Sequence, residues 1–191
     1  VRDATRDDPV WFSLYLVALT SGMRPGELRA LRWSDLDLAR SLVVVQRTMT
    51  KDADGHVVVG ETTKTKRPRA VALPALAVEA LVVRQLIEEP AADAYVFARR
   101  DGPLPLTPGS TITTGSSGWL AVRPITLHQI RHTNATLDLE AGINPKIVAE
   151  RLGHRSIETT LVRYSHVSID LQQSAADAFA ARVLGEGEGA S

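Results

Sequence analysis

Strand-forming sequence in this chain is gathered in one stretch, with helical sequence on both sides of it. Residues 42–49 (LVVVQRTM) are β-branched and strand-like. Asp54-Gly55 signals a hairpin turn, and Val57-Val58-Val59 returns from it. A further strand around Ala70–Leu73 stops at Pro74. The regular alternation of strand and helix that builds a parallel sheet is missing. The pattern predicts an α+β fold, mainly α with a small antiparallel β-sheet.

The helical segments are marked by caps and glycines. Asp8 caps and Pro9 opens a helix over residues 8–20, with Trp11, Leu14, Tyr15 and Ala18 on one face, and Ser21-Gly22 ends it. A short helix follows from Pro25, with Leu28 and Leu31 on one side. Residues 75–89 read as helix, and Tyr95-Val96-Phe97 is a short apolar run. Residues 101–118 are rich in Pro, Gly, Ser and Thr, a loop or linker composition. Thr126 caps a helix that carries Ile130, Leu137 and Leu139 and ends at Gly142. Asn144-Pro145 opens another, through Leu152 to Gly153, and Ser156 caps a third. Residues 168–184 form a last amphipathic helix, with Ile169, Leu171, Ala176, Phe179 and Leu184. Residues 185–191 read as a disordered tail.

Composition narrows the function classes. A chain of 191 residues with 44% apolar residues fits one ordinary domain, or at most two very small ones. It has no cysteine, which excludes disulfides, a thiolate nucleophile and a Cys-based zinc site. No apolar run reaches the ~18 residues of a membrane helix. The start, Val1-Arg2-Asp3-Ala4, has no signal-peptide pattern and no initiator Met, and reads as an excised piece. A soluble, cytoplasmic domain is expected. Net charge is zero, which argues against a nucleic-acid partner. Its distribution is uneven, however: residues 24–74 hold ten Lys/Arg against six Asp/Glu.

Four segments carry chemistry. In residues 20–28 (TSGMRPGEL), Arg24 follows a glycine turn and stands at a helix start. Its guanidinium and the exposed N–H groups there both favour an anion, and Glu27 can hold Arg24 in one rotamer. The plainer reading is a surface Arg–Glu pair. In residues 63–69 (TKTKRPR), four cations precede a short strand. At a hairpin they can reach into a groove and meet phosphates or base edges; alone, they read as a solvated charged turn. In residues 127–133 (LHQIRHT), His128 and Arg131 share a helix face and can converge on a phosphate. His128 and His132 are spaced as in zinc helices, but Gln129 replaces the Glu of that motif and Arg131 sets a cation beside the metal. Plain surface histidines are the bland alternative. The fourth segment, residues 152–167, contains Gly153-His154 and then Tyr164 beside Ser165 and His166. A lone Tyr is usually a half-buried core residue. With no Cys, serine elbow, P-loop or acidic metal cluster to compete, Tyr164 is the best nucleophile for a phosphoryl-transfer enzyme.

In this order and separation the four segments resemble the tyrosine recombinase (phage integrase) family. Residues 22–28 (GMRPGEL), Leu152-Gly153-His154 and Tyr164-Ser165-His166-Val167 are close to the family's usual wording. The resemblance spans about residues 8–184 and implies the family's catalytic-domain fold, so residues 1–184 are expected to form one DNA breaking–rejoining domain. It implies that Arg24 and Arg131 grip the scissile phosphate, that His128 belongs to the His-x-x-Arg box, that His154 is the second histidine and that Tyr164 is the nucleophile. Lys64 or Lys66 is the general acid, with Lys64 the better match. Lys66, Arg67, Arg69 and Arg155 are expected to contact DNA, and Glu27 to support Arg24.

The implied chemistry is site-specific recombination or integration, as in mobile elements. Tyr164 attacks a phosphodiester in line, giving a 3′-phosphotyrosyl bond and a free 5′-hydroxyl, and a 5′-hydroxyl of another strand can reverse the step. Arg24, Arg131 and both histidines stabilise the growing charge, Lys64 protonates the leaving oxygen and His128 accepts the tyrosine proton. No metal, ATP or other cofactor is expected. The partners implied are double-stranded DNA and further copies of the chain, as a cyclic tetramer on DNA with residues 168–184 docking in trans; packing of that helix on its own domain is the alternative. No membrane partner is expected.

Three features depart from the family pattern. The resemblance implies a catalytic piece, without the N-terminal DNA-clamping domain that full-length members carry. Residues 109–118 (GSTITTGSSG) replace a basic helical segment, and net charge is neutral. Other readings are a type IB topoisomerase-like strand transferase, a non-catalytic DNA-binding module in which Tyr164 is structural, and a histidine-based metallohydrolase.

Overall fold

The computed structural model describes residues 8–61, 68–99, 102–104, 111–112, 125–154, 156 and 160. Helix α1 is Pro9–Ser21. The Asp8 carboxylate accepts from the N–H groups of Val10 (3.1 Å) and Trp11 (3.3 Å), and Pro9 occupies the first turn, where no N–H is needed. Leu14, Val17 and Ala18 are buried. After the turn at Gly22, the short helix α2 (Pro25–Ala30) and a 3-10 turn (Trp33–Asp35) lead into the strands.

Five strands follow in chain order: β1 (Leu36–Asp37), β2 (Leu42–Val45), β3 (Arg47–Lys51), β4 (Val57–Glu61) and β5 (Arg69–Ala72). The order β1-β2-β5 makes an antiparallel sheet, with Val43 opposite both Leu36 and Val71, and Val45 opposite Arg69. β3 and β4 pair as a separate ribbon closed at Asp52–His56, where Gly55 takes φ 86°. The single strand expected over 42–49 is therefore two strands. The break falls at Gln46, whose side chain and that of Arg47 both donate to the buried Asp35 carboxylate. Strand pairing changes partner at that point.

Helix α3 (Ala75–Glu88) and helix α4 (Leu127–Glu140) both pack on α1. α3 buries Ala77, Leu81 and Arg84. Arg84 donates to both Glu88 oxygens (2.8 Å each) and to Ser13 Oγ of α1 (3.1 Å), so a buried guanidinium ties the two helices together. Between α3 and α4, two-residue pairings link β6 (Ala98–Arg99) to β7 (Gly102–Pro103) and β8 (Thr111–Ile112) to β9 (Ile125–Thr126). Thr126 caps α4, accepting from Gln129 N–H at 3.1 Å. Ile130 and Leu139 are buried as expected, but Leu137 is 57% exposed and faces away from the core. Helix α5 (Pro145–Leu152) packs against α4 around Ala135, Leu139, Val148 and Leu152.

The main core joins α1, α2, the β1-β2-β5 sheet, α3 and the start of α4. Among the described residues, no helix is long and apolar enough to cross a membrane. The expected helices after Ser156 and over 168–184, the tail, and most of the 101–118 stretch lie outside the described residues.

Candidate active site

The site is built where the C-terminal ends of α1 and α5 meet. α5 closes with Gly153 in the left-handed region (φ 65°), and the His154 and Gly153 N–H groups bond back to the carbonyls of Ala149 (2.9 Å) and Glu150 (3.0 Å). The next three carbonyls each accept from a different arginine. Arg69 Nε donates to Arg151 O (2.9 Å), Arg131 Nη2 to Leu152 O (2.7 Å) and Arg24 Nη2 to Gly153 O (3.0 Å). A helix leaves its last carbonyls without partners and with partial negative charge, so guanidinium groups satisfy both needs at once.

α1 ends in the same way. Asn134 Nδ2 donates to Leu19 O (2.8 Å), Arg151 Nη2 to Thr20 O (2.6 Å) and Arg131 Nη1 to Gly22 O (2.5 Å). Gly22 sits at φ 62°, and a Cβ there would lie 2.6 Å from Leu152 Cδ2 and 2.7 Å from Asn134 Oδ1. Only glycine allows both the turn and this approach. Arg131 thus bridges the two helix ends and is 6% exposed, whereas the Arg24 side chain keeps 40% exposure.

Glu27 is the counter-charge. It is 1% exposed and accepts four hydrogen bonds: at Oε1 from Arg24 Nη1 (2.9 Å) and Arg69 Nη1 (3.0 Å), at Oε2 from the Arg24 N–H (2.8 Å) and Arg69 Nη2 (2.7 Å). Those four bonds fill the acceptor sites of a carboxylate. Burial pushes the Glu27 carboxyl up, but the hydrogen bonds and charges of Arg69 and Arg24 outweigh it and hold it below its ordinary value. Two guanidiniums, those of Arg24 and Arg69, share this one carboxylate, and Arg131 holds the Leu152 carbonyl next to the Gly153 carbonyl that Arg24 takes. The surplus of positive charge, part of it facing solvent at Arg24, suits an anion such as a phosphate.

The histidines sit differently. His154 directly follows the Gly153 turn, and its Nδ1 lies 2.8 Å from Thr160 Oγ1. His128 stands on the first turn of α4 in solvent, with its Nε2 2.9 Å from Nε2 of His132. Arg131, on the same helix, donates into the buried helix junction.

Arg24, Glu27, Arg131 and His154 are thus gathered around the α5 terminus. Arg69, expected as a DNA contact, donates to protein acceptors through Nε, Nη1 and Nη2. The signal for this was present, because on a strand Arg69 shares a face with Val71, which is buried. Arg151 was not singled out from sequence, although it stands directly before Leu152-Gly153-His154; it pairs with Asp138 (3.5 Å). Lys64, Lys66, Arg67, Arg155 and Tyr164 lie outside the described residues.

Known proteins share this arrangement of sequence and fold. The chain is 30% identical over 182 residues to the ICEBs1 integrase of Bacillus subtilis (strain 168), covering 90% of this chain and 49% of that protein. It is 34% identical over 164 residues to tyrosine recombinase XerC of Bacillus pumilus (strain SAFR-032), covering 78% of this chain and 47% of that protein. The chain therefore spans about half the length of these curated relatives. Its fold matches that of the Tn1549 transposon integrase (residues 82–397) solved with circular intermediate DNA, with TM-score 0.69, 20% identity, and coverage of 94% of this chain and 66% of that one. XerA recombinase has the same fold at TM-score 0.59 and 23% identity, over 98% of this chain and 62% of that one. The α+β architecture is that of tyrosine recombinase catalytic domains. Residues 5–170 match the phage integrase family, and the chain belongs to it.

Proposed function

We propose that this chain is the catalytic domain of a site-specific tyrosine recombinase, which cuts and rejoins double-stranded DNA through a 3′-phosphotyrosyl intermediate. The observation that carries the reading is that Arg24 and Arg131, far apart in sequence, donate to the adjacent carbonyls of Gly153 and Leu152, beside His154. This fixes two guanidiniums before substrate arrives, as stabilisation of a charge that grows during reaction requires. The names and titles of its relatives support the same reading, being integrases and recombinases, one of them solved on DNA.

In this reading the Tyr164 oxygen bonds to phosphorus, the bond to the 5′-oxygen breaks, and Lys64 (or Lys66) delivers the proton that the leaving oxygen needs. His128 takes the phenol proton. The phosphotyrosyl bond conserves the energy of the phosphodiester, so a 5′-hydroxyl of another strand rejoins it without ATP. Lys66, Arg67 and Arg155 contact the duplex. The domain works in the cytoplasm on DNA as a tetramer, with residues 168–184 docking in trans.

The test is covalent capture. Nicked suicide duplexes of randomised sequence, incubated with the chain and resolved under denaturing conditions, should yield a protein–DNA adduct for wild type and none for Tyr164→Phe, whose DNA affinity should stay unchanged. An adduct with Tyr164→Phe overturns the nucleophile. No adduct with wild type, despite DNA binding, favours a non-catalytic module.

A further inference from the structure

Arg69 has three protein partners and a position that gives their arrangement meaning. Its Nη1 and Nη2 take both oxygens of Glu27, at 3.0 and 2.7 Å, and its Nε takes the carbonyl of Arg151, at 2.9 Å. Glu27, held in this way, grips the Arg24 side chain and its N–H. The Arg151 carbonyl is the first of the three at the end of α5, and the next two hold Arg131 and Arg24. The guanidinium also fills the space beside Gly153, where a Cβ would come within 2.9 Å of Nη1. One side chain therefore fixes both the carboxylate that orients Arg24 and the helix end on which Arg24 and Arg131 rest.

Sequence position adds a third link. Arg69 opens β5, where it is paired with Val45 of β2, and it follows Lys66 by three residues and Lys64 by five. Its two-point ion pair thus anchors the strand end that directly continues the lysine stretch. The side chain is only 12% exposed. Swinging the side chain out to a phosphate would give up a buried carboxylate, which a desolvated pair resists.

We propose that Arg69 is a positioning residue of strand cleavage, not a DNA contact. This inference rests on the recombinase reading. Arg69 touches no reacting atom; it sets the geometry of Arg24 and Arg131, and misplacement by about 1 Å in such a site costs on the order of 10²-fold in rate.

The two roles differ in what they predict. The experiment uses the 191-residue chain and a duplex selected from the randomised suicide pool by covalent attachment to wild type. Arg69→Gln and Arg69→Lys are compared with wild type for DNA affinity across salt concentrations, and for single-turnover adduct formation at saturating DNA. The proposal expects both variants to keep wild-type affinity and salt slope, while cleavage at saturation falls by roughly 10²-fold. Arg69→Lys should fail nearly as badly as Arg69→Gln, because an ammonium cannot reproduce the two-point contact. A phosphate contact would instead lower the salt slope by about one in Arg69→Gln, spare it in Arg69→Lys and leave saturated cleavage unchanged, overturning the proposal. Wild-type cleavage rates at saturation in both variants would also overturn it. If neither variant folds, Arg69 serves the fold and the proposal fails. Absence of any wild-type adduct strikes the recombinase reading itself, a different failure from that of the Arg69 assignment.

Discussion

Arg131 reaches back across 109 residues to the carbonyl of Gly22, the residue that ends α1 in the left-handed conformation. Its other terminal nitrogen holds Leu152 O, so one guanidinium closes two helices. Arg24, by contrast, is 40% exposed and holds a single carbonyl. The two arginines of the candidate site therefore differ in what they owe to the fold.

Arg24→Ala and Arg131→Ala should each slow adduct formation by at least ~10²-fold, as loss of one oxyanion donor does. Arg131→Ala should lower stability more, by about 2–3 kcal/mol, because it leaves two buried carbonyls without donors, whereas Arg24→Ala leaves Glu27 still paired with Arg69. Urea unfolding of both variants separates the effects. An Arg24→Ala protein as destabilised as Arg131→Ala would contradict this division.

Gly22→Ala should destabilise the domain by about 1–3 kcal/mol through overpacking, with a further contribution from the left-handed backbone. The added methyl meets Leu152 and Asn134, so the α1–α5 junction must open. The midpoint of denaturant unfolding measures the cost, and cleavage should fall along with it. An unchanged midpoint would mean that the junction is not close-packed.

Glu27 gives stability a pH dependence of known sign. Its folded-state value lies below its ordinary one, so its pairing is fully effective above the ordinary carboxylate range and is lost as pH falls through the folded value. At neutral pH, Glu27→Gln should cost about 3 kcal/mol, the lower end for breaking a buried pair, since Arg24 is partly solvated. The gap between wild type and Glu27→Gln should shrink as pH falls. Unfolding free energies measured from neutral to acid pH test this, and a constant gap would show that the charge of Glu27 is not what matters.

Asp8→Ala removes the cap of α1 and the ion pair with Arg99. A loss of about 1 kcal/mol is expected, mostly from the cap, because the Arg99 pair is exposed. Arg99→Ala alone should therefore change the unfolding midpoint little.

Much of the fold was legible because helix ends are local signals. Asp8, Thr126 and Asn144 cap where they stand in sequence, and Gly22, Gly142 and Gly153 end helices with positive φ. What was not legible depends on contacts across the chain. The break at Gln46 follows from a buried Asp35 eleven residues upstream, and nothing in a β-branched run announces it. Leu137 looked like core because it is apolar, yet α4 turns that position to solvent. In the candidate site, Arg24 and Glu27 lie one turn apart and were readable as a pair. Arg69 stood in a run of cations and was read with its neighbours, although it opens β5 on the same face as the buried Val71.

The anchors of the three arginines at the end of α5 are main-chain oxygens. Replacing the side chain of Arg151 or Leu152 leaves those oxygens in place, so drift in the sequence of α5 does not by itself erase the acceptors. The arginines depend instead on where the helix stops. A shift of its C-terminus by one residue would rotate the carbonyl row by about 100° around the helix axis, the turn that one residue makes, and send all three acceptors elsewhere together. Selection on this feature should act on helix length and on the φ of Gly153 more than on side-chain chemistry, and insertions or deletions within α5 should be far less tolerated than substitutions.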